Sequence, residues 1–540
     1  MAGSTKPKTN VKKGLLVQGG ILAGAGLITK IIGFIYRIPM GNILGEQGNG
    51  IYTVSFGIYN IALTLSSYSM PLAVSKTVSA RLAKGEYKNA KRVFLDALIF
   101  ALIVGTIAMS VLFFGADALE TLYKRQGLAR PLRILAPTTF VVALLGVFRG
   151  YFQGHSNMVP TALSQIIEQI FNAVVSVAAS YGFVKMYKET ADVASYGAVG
   201  GTMGTLCGAA AALVYFVILF LVTRKNEPVS DEEAESHAMI YKALILTILP
   251  VILSQTIYQI GYTLDDMIYG NIMALKNYEE VAAASMQGVF NTQYNQLINL
   301  PVAISTALAS ATLPSMVASK MMKRKKEVFA KITLVVKVNM LIAFPSAVGM
   351  AVLATPIMKL LFPRLVTYQH LASMLLVTGS SAIIFYALST ITTSVLQGND
   401  HMQIPVIHCG ISLVFHVILV AVLLYFTDWT VYALIIGNVS FPLVVSGLNC
   451  RSIAKKLSYR FDLIQLFGKP LVSSLVMGIV TFVSYQAVFA VLHSYLTALA
   501  VSVVLSIAAY AFMILFTGCM TKEEMSQLPG GRKLAAKLKR

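Results

Sequence analysis

Charge is scarce in this chain of 540 residues: Asp, Glu, Lys and Arg together make up 12% of it, about half the share of an ordinary soluble domain. A soluble enzyme of this length needs more charge than that for its surface, so the scarcity excludes one. Cysteine is sparse as well. The 4 copies, Cys207, Cys409, Cys450 and Cys519, lie in or beside apolar runs without CxxC spacing or clustered histidines, which indicates neither a disulfide framework nor a metal site. No G-x-x-x-x-G-K-[ST] loop, G-x-S-x-G elbow or H-E-x-x-H pair occurs, and no polar region is long enough for an ATPase domain. ATP-driven or hydrolytic chemistry therefore has no recognisable residues here.

What is abundant is apolar sequence, at 56% of the chain. Runs of roughly 20 apolar residues recur from end to end, each long enough to cross about 30 Å of hydrocarbon at about 1.5 Å per residue. We expect an all-α integral membrane protein of about fourteen transmembrane helices. No small-residue cleavage site precedes the first run, so Met1 to Lys13 reads as a short basic tail. The net charge of +20 invites a nucleic-acid partner, but its distribution decides otherwise. With the N-terminus inside, about three in four of the 43 Lys and Arg fall in the cytoplasmic segments between the predicted spans, the asymmetry that orients multi-span proteins. That pattern places both termini in the cytoplasm and leaves nothing for a nucleic acid to explain.

The chain carries a faint internal duplication. Gln153, Gly154 and Met158, after the fourth predicted span, are echoed at a constant offset by Gln397, Gly398 and Met402, after the tenth. Pro71 with Ser75-Lys76 is echoed at nearly the same offset by Pro314 with Ser319-Lys320, and each leads into a basic loop and a Val-Phe pair, Val93-Phe94 and Val328-Phe329. Six spans is an even number, so the halves enter the membrane in one direction and form parallel repeats. We expect an N-terminal lobe over 1–222, a polar linker over 223–242, a C-terminal lobe over 243–450, and two extra helices with a basic tail over 451–540. In the first predicted span Gly20 and Gly24, and in the sixth Gly197, Gly200, Gly201, Gly204 and Gly208, permit close helix approach.

Ionisable groups in a bilayer are costly and usually face a cavity or a partner. Lys30 and Arg37 in the first span are the sharpest clue: seven apart, they share one helical face with Gly26 and Gly33. A lumen lined this way attracts an anion, and the planar fork of Arg beside the compact charge of Lys suits a diphosphate; the competing reading has each cation snorkelling to the interface. Lys76, Arg149 and Lys320 sit at predicted cytoplasmic helix ends, where they either bind substrate or anchor topology. Glu168, one turn from Gln165 and Asn172, reads as a proton or cation carrier or as a counter-charge to Lys30. In the seventh span Gln255, Gln259, Tyr262 and Asp266 follow helical spacing, as do Asn291, Asn295 and Asn299 in the eighth. Each stripe suits sugar hydroxyls or simply interhelical hydrogen bonds. His408 and His416, two turns apart, read as packing rather than a proton relay.

Taken together, the paired Gln-Gly loops, the stretch Thr29-Lys-Ile-Ile-Gly-Phe-Ile-Tyr-Arg37-Ile-Pro, the Leu44-Gly45-Glu46 turn and the two six-span halves resemble the multidrug/oligosaccharidyl-lipid/polysaccharide exporter superfamily. Within it the likeness is to the polysaccharide biosynthesis or stage V sporulation protein B type, which includes MurJ-like lipid II flippases. The resemblance implies two lobes alternating between inward-open and outward-open states in a bacterial cell membrane. It also implies a transporter rather than an enzyme, with a cationic cavity for a polyprenyl-diphosphate-linked glycan. Some relatives hold sodium on a seventh-span acid. Asp265 or Asp266 matches that acid, but the eleventh span offers His408, Ser412 and His416 and no acid, so no metal and no cofactor are expected. Expected partners are the lipid-linked glycan, membrane lipids and proteins of cell-wall synthesis, with the chain acting as a monomer.

Overall fold

The structure, a computed structural model, describes residues 8–223, 233–321, 324–399 and 401–520, and among these no strand occurs. The chain divides into two compact units, Met1–Gly288 and Val289–Arg540. The first holds α1 (Lys8–Ser66), α2 (Met70–Leu82), α3 (Tyr87–Phe114), α4 (Ala116–Leu122), α5 (Ala129–Gly154), α6 (Val159–Met186), α7 (Val193–Thr223), α8 (His237–Leu275) and α9 (Glu280–Gly288). In the second, a π-helical turn at Val289–Tyr294 leads into α10 (Asn295–Met321), α11 (Lys325–Val352), α12 (Ala354–Leu361), α13 (Gln369–Gly379), α14 (Ala382–Gly398), α15 (Gln403–Phe426) and α16 (Val431–Leu457), followed by α17 (Lys469–Leu492) and α18 (Tyr495–Phe516). Residues 243–288, expected in the C-terminal lobe, fall in the first unit.

Ten described helices are long and apolar enough to cross a membrane, or eleven if α13 and α14, bent by 44°, form one span. This is a multi-pass membrane protein; the expected count of fourteen is not confirmed. Part of the difference lies in α1, which contains the first predicted span and most of the second. Fifty-nine residues in one straight helix would reach about 90 Å, some three bilayer cores. The chain breaks instead at Gly45, whose φ of 66° and ψ of −174° lie in a region open essentially to glycine alone. Asn49 closes the break by donating to the carbonyls of Gly41 at 2.8 Å and Gly45 at 2.6 Å, groups that no water inside a membrane would satisfy.

Helix faces sort by partner. On α15, Ile407, Ile411, Val414, Ile418 and Val422 are exposed while Cys409, Ser412, His416, Val420 and Leu424 are buried. The three-to-four spacing makes one stripe for lipid and one for the core. Between α6 and α7 small residues set the distance. Added side-chain carbons on Gly200, Gly204 and Gly208 would strike the α6 backbone at Ser180, Ser176 and Glu168, and Ser176 and Ser180 donate to the carbonyls of Gly201 and Gly197 at 2.8 and 3.1 Å. This is the close approach expected of that glycine stripe. Gly24 in α1 is different, with nothing within 4 Å of its would-be side chain. A second ladder, Gly146, Gly150 and Gly154 on α5, seats Met70, Val74 and Val78 of α2.

Candidate functional site

Lys30 and Arg37 lie two turns apart on α1 and both are exposed, about 10 Å from each other along the axis. The neighbouring face of the helix is occupied: Tyr36 is buried, its hydroxyl accepts from Asn172 at 3.4 Å, and Gly33 lies against Gln169 of α6. Packing therefore fixes the rotation of α1 and leaves its basic edge uncovered within the unit. Among the described residues neither cation enters an ion pair.

Glu168 does not serve Lys30. It accepts from Arg149 Nη2 at 2.6 Å, while Arg149 Nε donates to Ser164 at 3.1 Å, and the two charged side chains are 14% and 29% exposed. Arg149 is thus neutralised by a helix neighbour. Lys76 remains exposed on α2.

Asp266 is 9% exposed and accepts from Gln287 Nε2 at 2.5 Å, and Gln287 in turn accepts from Arg125. Arg125, itself 3% exposed, was not singled out from the sequence, because a cation in a loop between spans reads as a topology signal. The relay ties the α4–α5 loop to α8 and α9. Burial pulls the Arg125 guanidinium below its ordinary value, and Tyr269, Asp266 and Glu280 pull it back up; an arginine stays charged regardless. Its Nε and Nη1 are sealed from solvent without a hydrogen-bond partner. Beside it opens a cavity of about 290 Å³ with Glu120, Lys124, Tyr278 and Glu280 on its walls, mixed in sign and so unselective for charge. Asp265 is half-buried, and the side chains of Gln255, Gln259 and Tyr262 lie outside the described residues.

In the second unit the eighth-span stripe is partly spent on structure. Asn295 receives a hydrogen bond from Asn438 at 3.5 Å and donates to Asn291 at 3.5 Å, while Tyr294 donates to Gly379 at 3.0 Å and Asn438 at 3.1 Å. Asn299 alone of the three asparagines is exposed. His408 contacts Asn449 at 2.7 Å and His416 contacts the Gly437 carbonyl at 2.9 Å, the packing roles expected of them.

Residues 15–322 match the family described as polysaccharide biosynthesis protein. Among curated proteins of Bacillus subtilis (strain 168), the chain is 27% identical to stage V sporulation protein B, over 57% of this chain and 58% of that one. It is 23% identical to lipid II flippase MurJ, over 75% and 76%, and 25% identical to the membrane protein YabM, over 98% of each. Of solved structures, lipid II flippase MurJ in an inward closed conformation is similar with a TM-score of 0.68 and 14% identity, over 92% of this chain and 98% of that one. An inward-facing multidrug resistance MATE family transporter of the MOP superfamily is similar with a TM-score of 0.65 and 16% identity, over 80% and 95%. At such identities the structural likenesses establish the fold alone.

Proposed function

Because the chain belongs to the polysaccharide biosynthesis protein family, we propose that it is a flippase carrying a polyprenyl-diphosphate-linked glycan precursor from the inner to the outer leaflet by alternating access. Lipid II for peptidoglycan synthesis is the substrate we favour, with capsule and teichoic precursors as alternatives. The observation that carries this reading is the uncovered basic edge of α1. Two cations about 10 Å apart match a diphosphate, whose headgroup hydrocarbon rejects and whose polyprenyl tail it accepts. The pairing of Glu168 with Arg149 supports it, because the nearest acid on α6 is already engaged and the edge keeps its charge. The binding residues in this reading are Lys30 and Arg37 on α1, with exposed Lys76 on α2 as a further cation of the same unit. Both termini face the cytoplasm in this arrangement, as the distribution of basic residues supports.

The fold likeness to a multidrug transporter raises a second reading, a drug or cation antiporter. A site for cations needs acids, and the α1 edge presents bases. Native mass spectrometry of the purified chain separates the two. Wild type should retain a diphosphate-linked lipid, and the Lys30→Ala plus Arg37→Ala variant should lose at least about tenfold in retention, the equivalent of one charge-assisted contact. Undiminished retention sinks the flippase reading, and retained drug export with the Lys30→Glu variant favours the antiporter.

A further inference from the structure

The second unit carries a cavity of about 250 Å³ ringed by Lys320, Arg324, Lys325 and Lys456, and among the described residues no acidic side chain lines it. It lies where α10, α14 and α16 end and α11 begins, so its walls come from four helix termini. Lys320 Nζ is fixed by the Asn399 carbonyl at 2.5 Å, and Lys325 Nζ stands 5.4 Å from the centre of the Phe329 ring. Val328 and Phe329 give the cavity an apolar floor. Arg324 reaches Glu327 at 3.5 Å, with both side chains exposed, a pair that water largely screens.

The corresponding joint of the first unit is built differently. There, the segment before α8 lies along α2 and α3 as an acidic strap. Arg81 donates to Glu235 through Nη2 at 2.5 Å and Nε at 3.1 Å, Asn89 accepts from the Glu235 amide at 2.9 Å and donates to the Glu233 carbonyl at 3.0 Å, and His237 meets buried Asp96 at 2.8 Å. The first joint thus supplies its own counter-charge. At the second joint the last turn of α16 carries Lys455 and Lys456, which adds positive charge where the strap of the first joint removes it.

We propose that this cavity binds the phosphate of an anionic membrane lipid headgroup, phosphatidylglycerol in class. The apolar floor suits the glycerol and upper acyl region. Lys325 and Lys456, with the Arg324 guanidinium that shares only a screened contact with Glu327, supply positive charge to the phosphate and disfavour a lipid whose headgroup ends in a cation. A helix terminus that ends a membrane span lies at headgroup depth, where basic residues meet anionic lipid. The inference rests on the membrane setting and holds whichever glycan the protein carries.

Native mass spectrometry of the full chain titrated with phosphatidylglycerol, phosphatidylcholine and inorganic phosphate tests it. Wild type should prefer phosphatidylglycerol to phosphatidylcholine by about tenfold. The Arg324→Gln, Lys325→Gln, Lys456→Gln variant should lose that preference, the Lys456→Arg variant should keep it, and Lys455→Gln should leave it unchanged. Equal retention of the two lipids by wild type, or an unchanged preference in the triple variant whose thermal unfolding matches wild type, overturns the proposal. Displacement of the lipid by millimolar inorganic phosphate assigns the cavity to a soluble anion and overturns the lipid assignment.

Discussion

At the scale of single residues, the structure separates charges that face outward from charges that hold helices together. The Arg149–Glu168 pair is of the second kind: removing one partner leaves the other half-buried and unpaired, which costs about 1–3 kcal/mol. Thermal unfolding of Glu168→Gln, Arg149→Met and the double variant should give a coupling of at least about 1 kcal/mol; a coupling near zero makes the pair ornamental. Arg125→Ala should cost more, about 3 kcal/mol, because it strips the countercharge from Asp266 and an acceptor's donor from Gln287 inside the unit. If its unfolding temperature matches that of Arg133→Ala, whose partner Asp117 is exposed, the buried relay contributes nothing. The sequence made Asp266 visible through its helical spacing. It hid Arg125, because loop residues carry no periodicity that says which way they turn, and Arg125 is buried only because the α4–α5 loop folds onto α8 and α9.

At the scale of elements, the glycine stripes were legible in part. The sixth-span stripe was found because five glycines crowd one helix, and it does pack tightly. Gly146, Gly150 and Gly154 share the four-residue spacing of Gly20 and Gly24, but bulky Phe148, Tyr151 and Phe152 lie between them, and their partners on α2 are neither adjacent in sequence nor marked by composition. Gly24 has the same spacing and meets nothing within 4 Å. Spacing records that a close approach is permitted, whereas a partner helix decides that it happens. Gly204→Val should therefore lower stability by more than about 2 kcal/mol, since its added carbon meets Ser176 N at 2.5 Å and Asn172 O at 2.6 Å, both in the α6 backbone and unable to yield. Gly24→Ala should be neutral or slightly stabilising as a better helix former. Fluorescence-detected size exclusion after a heat ramp ranks the two variants, and equal midpoints would remove the argument from packing.

At the scale of the whole molecule, the charge on α1 bears on the energy source. A diphosphate diester carries two negative charges, and Lys30 with Arg37 carries two positive ones, so a carrier loaded in the proposed way moves almost no net charge. The empty carrier moves two. An inward-negative potential acts at about 2.3 kcal/mol per charge per 100 mV on charge that crosses the full membrane, so it drives the return of the empty carrier rather than the export step. Two consequences follow in liposomes with a potassium gradient and valinomycin. Imposing the potential should raise multiple-turnover flipping severalfold while leaving a single turnover of preloaded protein unchanged. In Lys30→Gln the loaded carrier holds one net negative charge and the empty one a single positive charge, so the potential should begin to speed the single turnover and should help the return less. A wild-type single turnover that accelerates with potential places the net charge on the loaded state instead, and the two α1 cations would then not be what holds the diphosphate.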